Sequence, residues 1–506
     1  MPRTLVRFCE RTRGSSVRRR SPEVLRRRSV EVLSSRRVRT VEARSRAAGG
    51  LMARLTTVEL PEFGMPDAMP ELPKSLYPAR LARLRERAER SGYDRLVIYA
   101  DREHSANIAY LTGFDPRFEE AILIVGPSGD PALLVGNECY AMAGAAPLPL
   151  RRHLFQDLSL PGQPRDRSRP LPKILREEGI ARGTRIGVVG WKTYATMQMS
   201  DAPAFLVDEL RRISGISGTV ENATRLFIDA ADGLRVTSEV EQLAYFEWAA
   251  CQTSQGVRNL VRGLRPGLTE LEAVRLLEWN GTPLSCHLML TAGPRARFGL
   301  LSPSERRIAR GDPFTTAFGV WGALNCRAGF VAAGARELPD VIGDYVERLV
   351  APYFEAIGEW YRALRVGVSG GTLHDIIRRR LGDPFFGVSL NAGHQLHLDE
   401  WVNSPVGPGS KVELRSGMAL QVDVIPATGT EYFTTNIEDG IAIADESLRR
   451  AFAAAYPAAW RRIENRRQFM TNILGIELHP DVLPFSNIAA WLPPFLLQPE
   501  NAMTLG

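Results

Sequence analysis

Asn391-Ala392-Gly393-His394-Gln395-Leu396-His397-Leu398-Asp399-Glu400-Trp401 is the stretch on which the reading of this chain turns. Two downstream segments keep it company, Gly417-Met418-Ala419-Leu420-Gln421-Val422-Asp423 and Asn436-Ile437-Glu438-Asp439-Gly440. A histidine after a glycine, an acid in one strand and a second acid in the next form a set able to converge on one pocket. In 419–425, Leu420, Val422 and Val424 alternate with Gln421 and Asp423, which sets Asp423 on the face opposite the apolar one. In 437–443 the same alternation separates Glu438 from Ile437, Ile441 and Ile443. The link Ala427-Thr428-Gly429-Thr430 allows a hairpin-like return that brings both acids to one side. Two carboxylates that close raise one another's pKa unless a cation sits between them. His394 fits that place, and it suits a general acid or base near neutral pH.

Working outward, 373–381 and 342–364 read as helices and 313–318 as a strand entered through the turn Arg310-Gly311-Asp312. Residues 284–292 read as a strand, and 270–279 and 237–264 as helices, the latter with Ser238 as its N-cap. Residues 390–398, 419–425 and 437–443 read as strands, and 447–463 as one last amphipathic helix. Further upstream, helical periodicity over 78–91, 172–178 and 203–213 alternates with apolar runs at 95–99, 120–125, 132–135 and 185–189, the pattern of an α/β domain.

The chain has 506 residues, enough for two cores, and its 44% hydrophobic and 24% charged fractions are those of a globular protein. The formal charge of +7 is concentrated at one end. Residues 1–50 hold fifteen Arg and four Glu, a surplus of eleven positive charges that leaves the remainder at −4. A nucleic-acid partner is therefore not expected for the folded part, and no apolar run is long enough for a membrane span. Residues 1–51 read as a disordered Arg-rich leader ahead of a start at Met52, in preference to a transit peptide or a basic nucleic-acid-binding arm. Five scattered cysteines with no CxxC (Cys9, Cys139, Cys251, Cys286, Cys326) read as reduced thiols, and localisation is expected to be cytoplasmic.

The ordered set of motifs resembles a known family. Asn107-Ile108-Ala109-Tyr110-Leu111-Thr112-Gly113-Phe114 is similar to the N-terminal domain of creatinase and prolidase-like proteins. Ser238-Glu239-Val240-Glu241, Leu264-Arg265-Pro266-Gly267-Leu268-Thr269-Glu270, Gly393-His394, Glu400-Trp401 and Ile437-Glu438-Asp439-Gly440 resemble their catalytic domain. The resemblance to the creatinase/aminopeptidase P family covers about 76–450. It implies an N-terminal creatinase-like α/β domain (76–228) followed by a C-terminal "pita-bread" α/β domain (236–450), usually in a homodimer. Around these the expected organisation is an extended lead-in at 52–75 and a C-terminal helix and tail at 451–506.

Active peptidases of this family hold two metals on two Asp, one His and two Glu. His394 matches the histidine, Asp423 stands where a Glu is usual, and Glu438 matches the last Glu. Ala317 takes the place of the first Asp, and Gly322–Arg327 contains no acid for the second. Asp399 replaces the histidine of a His-Glu pair whose acid is Glu400, and Phe298–Leu301 holds no histidine where the family has one. A two-metal site is thus not expected. The expectation is a hydrolase acting on a C–N bond of a small polar or peptide-like substrate, worked by His394, Asp423 and Glu438 without metal, as creatinase itself works. A single Mn, Zn, Co or Fe on those three residues is the alternative, as are an Xaa-Pro aminopeptidase with altered ligands and a non-catalytic scaffold. Arg327, Trp401 and Glu400 are the expected substrate contacts, Arg327 with a structural ion pair as its competing reading. His397 reads as a supporting or exposed residue, Cys326 as an ordinary thiol in preference to a nucleophile, and Trp321 as pocket wall or core.

Overall fold

The computed structural model describes residues 52–506, so the expectations for the leader lie outside the described residues. The chain opens with β1 (Ala53–Thr57), followed by α1 (Leu76–Arg90), β2 (Arg95–Ala100), α2 (Ala106–Thr112), β3 (Ala121–Val125), β4 (Ala132–Val135) and β5 (Arg151–Leu154). Then come α3 (Leu171–Glu177), β6 (Arg185–Val189), α4 (Ala204–Ser214) and β7 (Thr219–Asn222). Strands β2 to β7 form one six-stranded sheet in the order β5-β4-β3-β2-β6-β7. Alternation within β2 explains its layers. Leu96, Ile98 and Ala100 join a core covered by Leu84 of α1 and Ile108 and Leu111 of α2. Val97 and Tyr99 join a second core covered by Ile174 of α3 and Leu206 and Leu210 of α4. A sheet buried on both faces needs continuous apolar strands, which is why Ala121–Val125 reads Ala-Ile-Leu-Ile-Val.

The second half begins with the 24-residue helix α5 (Val240–Gly263). Its N-cap is Glu239 and not Ser238; the Glu239 carboxylate is held by Arg80 at 2.8 Å and Arg83 at 2.5 Å. Strands β8 (Met289–Ala292), β9 (Pro313–Val320) and β10 (Ala323–Phe330) follow, then α6 (Ala351–Ala363), α7 (Gly370–Leu381), β11 (His394–Gln395), β12 (Ala419–Gln421), β13 (Asn436–Glu438) and β14 (Gly440–Ile443). The chain closes with α8 (Glu446–Ala455), α9 (Pro457–Gln468), β15 (Val482–Pro484) and β16 (Asn501–Leu505). Two four-stranded sheets result, β13-β10-β9-β8 and β11-β12-β14-β15. No helix of the described residues is long and apolar enough to cross a membrane.

Several expected elements differ, and the strands over 284–292 and 419–425 and the helices over 270–279 and 342–364 shorten to Met289–Ala292, Ala419–Gln421, Glu270–Val274 and Ala351–Ala363. The single strand over 437–443 is two strands in two different sheets. Asp439 between them is buried, and its carboxylate accepts from Asn325, Arg327, Ser486 and the Ala490 N–H, which pins the backbone where the chain passes from one sheet to the other. The helix over 447–463 is two helices, because Pro457 has no N–H to continue α8 and is tolerated only in the first turn of α9. The strand over 390–398 shrinks to His394–Gln395. The segment expected as a C-terminal helix and tail is built into the fold: β15 completes the β14 edge, and β16 pairs with β1 of the lead-in.

Candidate acid–histidine site

Gly393 sets the position of the histidine. Its φ is 105°, and a Cβ there would lie 2.9 Å from the Trp360 ring and 3.0 Å from the Gln421 carbonyl. The glycine lets β11 approach β12, where His394 is the partner of Gln421. The imidazole is fully buried and stacks on Trp401, centroids 4.1 Å apart and planes 17° from parallel. Its Nδ1 donates to the Gln395 carbonyl at 3.2 Å, so Nε2 faces the acids.

Those acids arrive from three segments. Nε2 lies 3.1 Å from Glu400, 3.5 Å from Glu438 and 3.8 Å from Asp423. The β12–β14 register pairs Leu420 with Ile441 and Gln421 with Gly440, and the Val422 N–H continues it by donating to the Asp439 carbonyl. Extended two residues further, that register sets Asp423 against Glu438, although the expected strand over 419–425 ends at Gln421 and 437–443 is divided between two sheets. Glu438 also faces Cys326 across β10–β13, and the Cys326 thiol donates to Oε2 at 2.8 Å.

The three distances to Nε2 are within ion-pair range, yet none makes a well-formed hydrogen bond to Nε2, and Asp423 Oδ1 also lacks a hydrogen-bond partner within the protein. Among the described residues no lysine or arginine pairs with Glu400, Asp423 or Glu438. The electrostatics follow. Burial opposes charge on His394, but Glu400, Glu438 and Asp423 outweigh it and push its pKa up to about 10. Burial raises Asp423 well above the usual carboxylate range, and Glu438 adds to it. Burial and then Glu400 raise Glu438 against the pull of His394. Burial and Glu438 hold the Cys326 thiol well above its ordinary pKa, so it stays protonated and unreactive.

The acids open onto a cavity of about 610 Å³. Asp423, Glu438, Glu400 and Trp401 line it, with Ala317 and Cys326 of the β9–β10 hairpin. The hairpin thus supplies a methyl and a thiol there, and no carboxylate. Asn325, the remaining polar residue of 322–326, turns away to Asp439, Ser486 and Thr253. Ligand atoms of His394, Glu400 and Glu438 lie within 4.8 Å of one another, a group able to hold one metal ion, and Nδ1–H is already tied to a carbonyl.

Other expected contacts fall elsewhere. Arg327, expected at a substrate carboxylate, is 1% exposed and donates to Asp439 at 2.9 Å and to the carbonyls of Trp491, Cys326 and Ile488. It is an interior ion pair away from the cavity lining, because the guanidinium satisfies the buried Asp439. His397 is neither exposed nor beside the acids. It is fully buried between the rings of Tyr110 and Phe246, each 5.1 Å away, and burial with Arg235 and Arg80 nearby keeps it neutral. Asp399 pairs with Arg235. Trp321 packs under the Arg117 guanidinium at 4.4 Å. Leu398 and Val402 join the core that α1 and α2 cover, so the stretch 391–402 joins both halves of the fold. Sequence reasoning missed Asn436, whose buried Oδ1 is unpartnered on the cavity wall. Its position two residues before Glu438, on the same strand face, was the available signal. Arg297, Phe298, Leu300 and Leu390 also line the cavity; the first two end the short 3-10 helix Gly293–Phe298, the others lie in loops, and no periodicity marks any of them.

The Creatinase/Prolidase N-terminal domain family matches residues 80–223. No curated protein matches the chain. Among solved structures, the prolidase from Pyrococcus horikoshii OT3 is similar at 17% identity and a TM-score of 0.55, over 72% of this chain and 95% of that one. Dipeptidase PepE from Mycobacterium ulcerans is similar at 19% identity and a TM-score of 0.54, over 75% of this chain and 95% of that one. The X-Pro aminopeptidase from Thermotoga maritima is similar at 17% identity and a TM-score of 0.55, over 72% and 95%. Residues 80–223 therefore match the Creatinase/Prolidase N-terminal domain family, and the chain as a whole shares the fold of these prolidase and X-Pro aminopeptidase structures, an N-terminal α/β part followed by a pita-bread part.

Proposed function

We propose that this chain is a hydrolase of a C–N bond in a small peptide-like substrate, worked by the acid–base set His394, Asp423 and Glu438 with Glu400 beside it. The observation that carries the reading is Asp423: 6% exposed, on the cavity wall, with one oxygen unpartnered and its pKa raised. A scaffold relic has no need of such a group, since a buried carboxylate oxygen left without a donor only costs stability. Asp423 and Glu438 are close enough for one to hold a proton that the other lacks. The ionised one takes a proton from the attacking water as the water oxygen bonds to the acyl carbon. The protonated one gives its proton to the leaving nitrogen as the C–N bond breaks. His394, charged at neutral pH, holds the pair in register.

One divalent cation, of the Mn, Zn, Co or Fe kind, fits His394, Glu400 and Glu438, with Asp423 adjacent, and would polarise the acyl oxygen or acidify water there. That convergence supports the second reading, an Xaa-Pro aminopeptidase with altered ligands. The test is turnover of a panel of dipeptides and N-acyl amides by purified protein, with chelator and with added Mn²⁺. Turnover that survives chelation and is lost in Asp423→Asn supports the proposal. Turnover that needs Mn²⁺ favours the aminopeptidase, and a folded protein that turns over nothing in either condition favours a scaffold. The homodimer is part of this proposal and is checked by sedimentation.

A further inference from the structure

The cavity is mainly apolar, and its mouth is more so. Phe298, Leu300, Leu390 and Trp401 line it while remaining 62%, 69%, 60% and 39% exposed. Large apolar side chains gathered at one opening mark a binding surface. The one arginine of the lining is Arg297, exposed at this mouth. It has no ion-pair or hydrogen-bond partner among the described residues, whereas its neighbours are paired, Arg295 with Glu270 and Arg306 with Asp312. The deep end offers the reverse chemistry. Asp423 Oδ1 and Asn436 Oδ1, on residues 6% and 4% exposed, are acceptors without donors. A volume of about 610 Å³ also exceeds what a short polar molecule fills.

We infer that the cavity takes an amphipathic anion: a bulky aromatic or branched aliphatic body, a negative group held by Arg297 at the mouth, and an amide N–H reaching Asn436 or Asp423. An N-acylated amino acid is the simplest molecule of that class. The assignment rests on reading this cavity as the substrate site, and it sharpens the substrate without requiring turnover. A guanidinium–carboxylate pair is charge-assisted and partly desolvated at an apolar mouth, so it discriminates an acid from its neutral amide by roughly tenfold.

The probes are N-benzoyl-leucine and its neutral primary amide, titrated calorimetrically into wild-type protein and Arg297→Gln with chelator present. Arg297 is exposed, so the variant is expected to fold, and its melting curve confirms that. The expected result is that wild type prefers the acid by about tenfold and that Arg297→Gln loses the preference while still binding the amide. Equal affinity for both probes, a preference that survives Arg297→Gln, or no binding of either overturns the inference. Binding with the expected preference but without release of leucine, either with chelator or with added Mn²⁺, leaves the inference standing and removes the hydrolase reading instead.

Discussion

Cys326 and Glu438 are register partners across β10–β13, and the Cys326 Sγ lies 2.8 Å from Glu438 Oε2. A thiol is a weak donor, but here it supplies the hydrogen bond that one oxygen of a buried carboxylate needs. The pairing makes Cys326 a support for Glu438 and not a nucleophile. At pH 8 Cys326 is expected to react with iodoacetamide at least tenfold more slowly in native protein than in denaturant, because burial and Glu438 raise its pKa. Peptide mapping after timed alkylation measures this, and equal native and denatured rates refute it. Cys326→Ser keeps a donor and should unfold like wild type. Cys326→Ala should lose about 1–3 kcal/mol of stability.

His394, Asp423 and Glu438 all have raised pKa values in the folded protein. The folded chain therefore binds more protons than the unfolded chain, and these groups make stability fall as pH rises. The His394 contribution is complete below about pH 6.5, the ordinary histidine value, and is lost as pH rises through about 10. The carboxylate contributions are complete below the ordinary acid range and are lost upward through the raised values. With chelator present, wild-type melting temperature should decline from pH 6 to 10. Asp423→Asn should melt higher than wild type at pH 9 and lose that advantage near pH 4. Parallel curves for the two proteins across the range would sink the electrostatic account of the site.

Arg327→Met should cost about 3–5 kcal/mol of unfolding free energy, the penalty for stranding a buried carboxylate, here Asp439. Urea denaturation measures it. A variant of wild-type stability whose only defect is a raised KM would return Arg327 to the substrate.

Metal stoichiometry separates the β9–β10 hairpin from the rest of the site. Wild type is expected to bind at most one Mn²⁺ per chain, since the hairpin presents Ala317 and Cys326 to the cavity. Those two residues are cross-strand partners, so Ala317→Asp with Cys326→Asp places two carboxylates side by side and should admit a second equivalent. Titration with Mn²⁺ followed by elemental analysis counts them. Two equivalents on wild type, or none gained by the double variant, contradicts the expectation.

Much of this site was legible in the sequence, because much of it is local. The order of His394, Asp423 and Glu438 in short apolar segments marked them as one set, although the strands expected over 419–425 and 437–443 are shorter or divided. A hydrophobic pattern of period two or 3.6 is a property of consecutive residues, so strand and helix cores from Leu84 to Ile463 follow from it. Pairings between distant segments have no such periodicity. That Glu400 rather than Asp399 reaches His394, that Asp439 claims Arg327, and that His397 is sealed between Tyr110 and Phe246 all depend on which surfaces meet when the halves close. The composition of the cavity mouth, with Phe298, Leu300 and Leu390 brought beside Trp401, likewise exists only once separate loops converge. The sequence by itself determined the α/β architecture and two of the acids, Asp423 and Glu438, that stand near the histidine. The tertiary structure alone decided which polar groups are paired in the interior and which are left open to a ligand, because burial and pairing are relations between residues far apart in the chain.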